Sequence, residues 1–222
     1  MTFSPADLLM IGVVLTNLAL LGASRIPYAV RVVAAQGIVL GVLPIVLHAP
    51  HHDVHTLLFA ACAVGLKGVV FPWLLLRALR EAEVRREMEP FVGYSTSLLL
   101  GIALLGVSLW LGSKLPGEAQ GPRTLVVPVA LSTILTGLQI IVSRRTVLTQ
   151  VLGYLVFENG IFAFGVPLAR QAPALVEMGV LLDVFVAVFV MGIAVFHIQR
   201  ELHHLDADRL STLKEWGKEP RG

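Results

Sequence analysis

Three ionisable residues stand where an apolar chain has little reason to keep them. Glu158 lies in the middle of a long apolar run, Asp183 within a turn of the middle of the next, and Lys67 in the middle of an earlier one. A charge at that depth in hydrocarbon costs roughly 2.5–3.5 kcal/mol on insertion scales. Such groups therefore face a bundle interior, pair with one another, or exchange a proton. Burial raises a carboxyl pKa and lowers an amine pKa, which is the tuning proton exchange requires near neutrality. Helix–helix glue or contact with a neighbouring subunit is the competing reading for each residue taken alone.

Their surroundings are polar as well. Gln150, Tyr154 and Glu158 follow i, i+4, i+8 spacing and form one polar stripe from the inner surface to the midplane. Ser132, Thr136, Gln139 and Ser143 share a face of the preceding run, and two such stripes could line a hydrated half-channel ending at Glu158. Ordinary interhelical hydrogen bonding accounts for them equally well. Gly65, Gly68 and Pro72 flank Lys67 and weaken the helix there, so freed carbonyls could hold water beside the amine. Glu177, in the outer third of the last run, is a possible exit group.

The elements that must position these groups are membrane helices. Apolar residues make up 56% of the 222, and Asp, Glu, Lys and Arg only 14%, against about a quarter in soluble domains. Seven runs are long enough to cross a hydrocarbon core of about 30 Å. They fall near Ala6–Ala23, Pro27–Leu47, Val54–Leu79, Phe91–Gly112, Thr124–Val142, Thr146–Leu168 and Pro173–His197. Unbroken runs of this length satisfy their backbone only as helices, so the expected fold is all-α, a polytopic transmembrane bundle of seven helices. Segment one carries no basic region ahead of it and reads as a retained helix rather than a signal peptide.

Placing the N-terminus outside and the C-terminus in the cytoplasm puts thirteen of the seventeen Lys and Arg on inner loops and the tail, as the positive-inside rule requires. Trp73 and Trp110 fall near span ends, where indole rings favour the headgroups. Residues 1–120 read as a four-helix segment, 121–200 as a three-helix unit and 201–222 as a cytoplasmic tail. The stretch Arg80–Glu89 reads as a solvated inner loop, a helical extension of segment three with i, i+4 charge pairs.

Several chemistries are not expected. His48, His51, His52 and His55 surround Pro50 in a short polar turn and make a poor metal site. The lone Cys62 allows no internal disulfide. No nucleotide-binding loop, haem motif, cysteine cluster or nucleophile elbow is present, so no cofactor, metal or nucleic-acid partner is expected. The bilayer is the first partner.

Residues 121–200 resemble the small three-helix subunit of the complex I membrane arm (NuoK) and its Mrp antiporter counterpart (MrpC). The corner Arg144-Arg145-Thr-Val-Leu-Thr-Gln-Val-Leu-Gly153 is similar to that subunit's paired-Arg start to its second helix. The family's relay carboxylate position falls on Leu155, with Glu158 one turn further on, and Asp183 is displaced by about a turn as well. With four spans ahead of this unit, the whole chain resembles hydrogenase-4 component E. Leu155-Val-Phe-Glu158-Asn159-Gly160-Ile-Phe and Glu177-Met-Gly179-Val-Leu-Leu-Asp183 carry that likeness. The resemblance implies a non-catalytic subunit in the bacterial or archaeal inner membrane, within a group 4 hydrogenase or formate hydrogenlyase-like oxidoreductase complex. Its partners would be antiporter-like large membrane subunits and a redox arm. In that setting Glu158 would take a proton past Gln150 and Tyr154, Asp183 would pass it on, and Lys67 would tune both or belong to a second relay. A scaffold without ion traffic, a Mrp-type antiporter subunit and a free-standing transporter remain the alternatives.

Overall fold

The computed structural model describes residues 4–47, 54–81, 93–114 and 125–168, Arg145 excepted, together with Gly192. Among these the chain is all helical. Helix α1 (Pro5–Leu21) is followed by α2 (Ile26–Leu47), then by α3 (Val54–Gly65), a π-turn (Leu66–Val70) and α4 (Phe71–Glu81) in one continuous rod. Helices α5 (Tyr94–Lys114), α6 (Val126–Ser143) and α7 (Val147–Leu168) complete the described bundle. These six rods correspond to the first six expected segments. The seventh, with Asp183 and Glu177, lies outside the described residues apart from Gly192, as do His48, His51 and His52 and the tail.

Among the described residues four helices are long and apolar enough to cross a membrane: Ile26–Leu47, Ala60–Arg77, Tyr94–Lys114 and Val126–Ser143. Helix α7, at 22 residues, is about 33 Å long at the usual rise. Helix α1 is shorter, with 17 residues. Its start is fixed by a reciprocal cap: Asp7 N–H donates to Ser4 Oγ at 3.2 Å, and Ser4 N–H donates to Asp7 Oδ2 at 3.1 Å. Pro5 follows the cap, where its missing N–H costs nothing.

The rod containing Lys67 changes register at the π-turn, where Phe71 N–H donates to the carbonyl of Leu66 five residues back. Pro72 explains the position: it has no N–H for the carbonyl of Gly68, and its ring crowds that oxygen unless the turn widens. The sequence marks the weak point but not its form.

Close approach between helices is carried by glycine. A Cβ on Gly37 of α2 would lie 2.7 Å from Cβ of Lys67, and one on Gly41 would meet backbone of Val64 at 3.0 Å. The pair Gly37 and Gly41, four apart, thus forms the small-residue face against which the third rod packs. Between α6 and α7 the same role falls to Gly137, Gly153 and Gly160. A Cβ on Gly160 would lie 2.6 Å from the backbone nitrogen of Ile134.

The buried residues divide into two apolar layers. One joins Leu20 and Leu21 of α1, Ile26 to Val33 of α2, Phe71 and Leu75 of α4, Ile140 of α6 and Leu152 to Val156 of α7. The other joins Met10 and Val13 of α1, Leu40 to Leu47 of α2, Val126 to Ala130 of α6 and Ala163 and Val166 of α7. On each of the four helices α1, α2, α6 and α7, the residues between the two layers include buried polar side chains: Asn17, Gln36, Thr133 and Thr136, and Glu158 and Asn159. The bundle carries a polar layer between two oily ones.

Candidate functional site

Lys67 and Glu158 meet in that layer. The ammonium nitrogen lies 2.8 Å from Glu158 Oε1, and the two residues are only 4% and 5% exposed. Three features of local structure bring them together. The π-turn sets the direction of Lys67, Gly37 lets the backbone and Cβ of Lys67 approach α2 closely, and α7 packs on α2 as well. The ammonium also lies 5.0 Å from the ring centre of Phe162, one turn beyond Glu158, and an aromatic face stabilises a desolvated cation. A pair this short in a sealed site is a hydrogen-bonded ion pair. Either ion alone there would carry the desolvation cost unrelieved.

Beside the pair runs a chain of neutral polar side chains. Asn159 Nδ2 donates to Gln36 Oε1 at 3.1 Å, and Gln36 Nε2 donates to Asn17 Oδ1 at 2.8 Å and to Thr16 Oγ1 at 3.1 Å. Asn17 Nδ2 donates to Thr133 Oγ1 at 2.9 Å, whose own hydroxyl donates to the carbonyl of Val129 at 2.8 Å. The chain links α7, α2, α1 and α6. It touches the ion pair's neighbourhood twice, because Asn159 follows Glu158 and Gln36 precedes Gly37. The charge-based reading of the sequence missed Gln36, Asn17 and Thr133. Their signal was present as amides and a hydroxyl in the middle of apolar runs.

The expected access groups separate. Tyr154 is half-buried one turn before Glu158, and its ring centre lies 6.2 Å from that of Phe157. Gln150 is exposed at the start of α7 and donates to the carbonyl of Arg144 at 3.2 Å. Gln139 is buried but faces α5, where its Nε2 donates to the carbonyl of Ser97 at 2.8 Å. The other members of its stripe, Ser132, Thr136 and Ser143, are buried as well. Among the described residues no group of three His, Cys, Asp or Glu side chains is arranged to hold a metal ion.

A second buried cation stands at the α6–α7 corner. Arg144, 1% exposed, donates from Nη2 to the carbonyl of Leu21 at 3.1 Å and packs over the ring of Tyr94, 5.3 Å from its centre. Desolvation pushes its guanidinium below the ordinary value, while Tyr94 acts in the opposite sense. A guanidinium stays protonated under such shifts, so Arg144 acts as a permanent clamp. It satisfies a carbonyl left over at the end of α1 and ties that end to α5 and to the hairpin.

An apolar helical bundle with an ion pair sealed between two oily layers is a membrane protein. The chain belongs to the hydrogenase-4 component E family. It is 34% identical over 160 residues to hydrogenase-4 component E of Escherichia coli K12, an alignment spanning 71% of this chain and 73% of that protein. The Shigella flexneri component E gives the same figures. A Mycobacterium tuberculosis protein described only as uncharacterized is 29% identical over 205 residues, covering 92% of this chain and 93% of its own length. No family model matches the chain, and no solved structure matches it.

Proposed function

We propose that this chain is a multi-pass inner-membrane subunit of a group 4 hydrogenase-type complex, and that the Lys67–Glu158 pair is its ion-relay element. The observation carrying the reading is the 2.8 Å contact between an amine and a carboxylate, both sealed from solvent. A proton that reaches Glu158 neutralises the carboxylate and releases the ammonium, which can then hand its own proton to the next acceptor. Glu158 keeps the incoming proton until the neutral amine takes it back, which restores the ion pair. Each cycle thus moves one proton through the pair and leaves both groups as they began. Redox chemistry in other subunits would drive the cycle, with antiporter-like subunits as neighbours. Tyr154 and Gln150 lie on the approach from the α7 start, and Asp183 and Glu177 are the onward groups in this scheme.

The test is Glu158→Gln in the assembled complex. Coupled ion transport falls while redox activity with an artificial acceptor is retained. Full coupling with normal assembly refutes the relay. Loss of the intact complex on native gels instead assigns Glu158 to assembly.

A further inference from the structure

The neutral chain beside the ion pair has a direction. In Asn159, Gln36 and Asn17 alike, the amide N–H₂ points toward α6 along the chain and the carbonyl points back toward α7. The three dipoles add, with the acceptor end at α7, one residue from Glu158, and the donor end at Thr133. The opposite direction keeps the same contacts within the chain. If each amide turns over, Thr133 donates to Asn17 Oδ1, Asn17 donates to Gln36 Oε1, and Gln36 donates to Asn159 Oδ1. The Thr16 hydroxyl, now directed at the carbonyl of Val13 at 2.7 Å, would turn to Gln36 Oε1. A mixed state is disfavoured, because it sets N–H against N–H or oxygen against oxygen at one or more of the amide–amide contacts. Buried groups of this kind must all be satisfied together.

We propose that Asn159, Gln36, Asn17 and Thr133 form a reversible hydrogen-bonded chain whose direction is set by the charge of the Lys67–Glu158 pair, carrying the state of that pair to α1 and α6. The observed direction turns carbonyl oxygens toward the α7 end of the chain, next in sequence to the Glu158 that holds the Lys67 ammonium, which is the direction a cation favours. Loss of that cation removes the bias, and a lone carboxylate at the same end favours the reverse. Amides carry no proton through this exchange, so the chain transmits polarity and not charge. It needs no ion movement through the pair and can hold or fail independently of the relay.

The sequence supplies an unusually clean probe. Asparagine occurs only twice, as Asn17 and Asn159, and both belong to the chain. The full-length protein, labelled with ¹⁵N at asparagine alone and reconstituted in lipid bilayers, should give two side-chain amide signals by solid-state NMR. Lys67→Met should shift both, although Asn17 sits on a different helix from either member of the pair. In a Gln36→Met background, which cuts the chain between them, adding Lys67→Met should leave Asn17 unmoved. Lys67→Gln serves in the same comparison should the methionine variant fail to fold. An Asn17 signal identical with and without the Lys67 charge overturns the proposal, as does one that still responds after Gln36 is replaced.

Discussion

Removing one member of the Lys67–Glu158 pair should cost far more than removing both. At 2.8 Å and an effective dielectric of about 20, the attraction between the two charges is roughly 6 kcal/mol. Desolvating two ions offsets much of that, so the pair as a whole contributes little net stability. A single replacement loses the attraction but leaves the surviving group in the same dry site, where the penalty is about 3–5 kcal/mol. Lys67→Met and Glu158→Leu should therefore each shift the unfolding equilibrium by on the order of a hundredfold or more. The double variant, which leaves no ionisable group behind, should return to within about 2 kcal/mol of the wild type. Reversible unfolding of the purified chain in lipid–detergent micelles, titrated with a denaturing detergent, measures all three. Independent sites add to within about 0.5 kcal/mol. Single variants that each cost under about 1 kcal/mol and add in the double would refute the reasoning, since they would mean that water or lipid headgroups reach the pair.

The helix contacts make two further predictions measurable in the same assay. Gly137→Ala should cost about 1–3 kcal/mol, because its Cβ would collide with the backbone nitrogen and Cα of Phe157, whereas Gly165→Ala, with nothing within 4 Å, should be neutral or stabilise by about 0.5–1 kcal/mol; equal effects at the two sites would count against a glycine-mediated α6–α7 contact. Pro72→Ala should let the π-turn relax toward a regular helix, turning Lys67 by up to about 100° relative to the segment beyond it, so Lys67→Met should cost less in that background, and an undiminished penalty would show that Pro72 does not set the direction of Lys67.

Much of the bundle was legible because membrane helices are announced by composition. The run Thr146–Leu168 matches α7, Val147–Leu168, to within a residue at its start, and Pro27–Leu47 matches α2, Ile26–Leu47, equally well. The third run is different. Its length was plain, but the π-turn at Leu66–Val70 depends on how one proline's missing N–H is resolved locally, and hydropathy does not register that choice. Lys67 and Glu158 stood out because charge in an apolar run is costly enough to demand a reason.

Which groups come together was harder to read than which groups matter. Spacing by three or four residues fixes the face of a helix and says nothing about which neighbour that face meets. Gln139 shares a face with Thr136 and Ser143 by periodicity, yet that face turns its amide to the backbone of α5, while Thr133, one residue after Ser132, reaches α1. The same limit hid the amide chain: Asn17 and Gln36 lack charge, so their insertion cost is modest and neither stands out alone. Their meaning lies in register. Asn17 comes between Val13 and Leu20, Gln36 between Val33 and Leu40, and Asn159 between Val156 and Ala163. In each helix the polar group occupies the one turn that separates the two apolar layers. Four helices that place their polar turn at the same depth can bond through one chain only if they pack in one register. The polar layer therefore selects the packing in which Lys67 finds Glu158, and sliding any of these helices by a turn would strand an amide in oil.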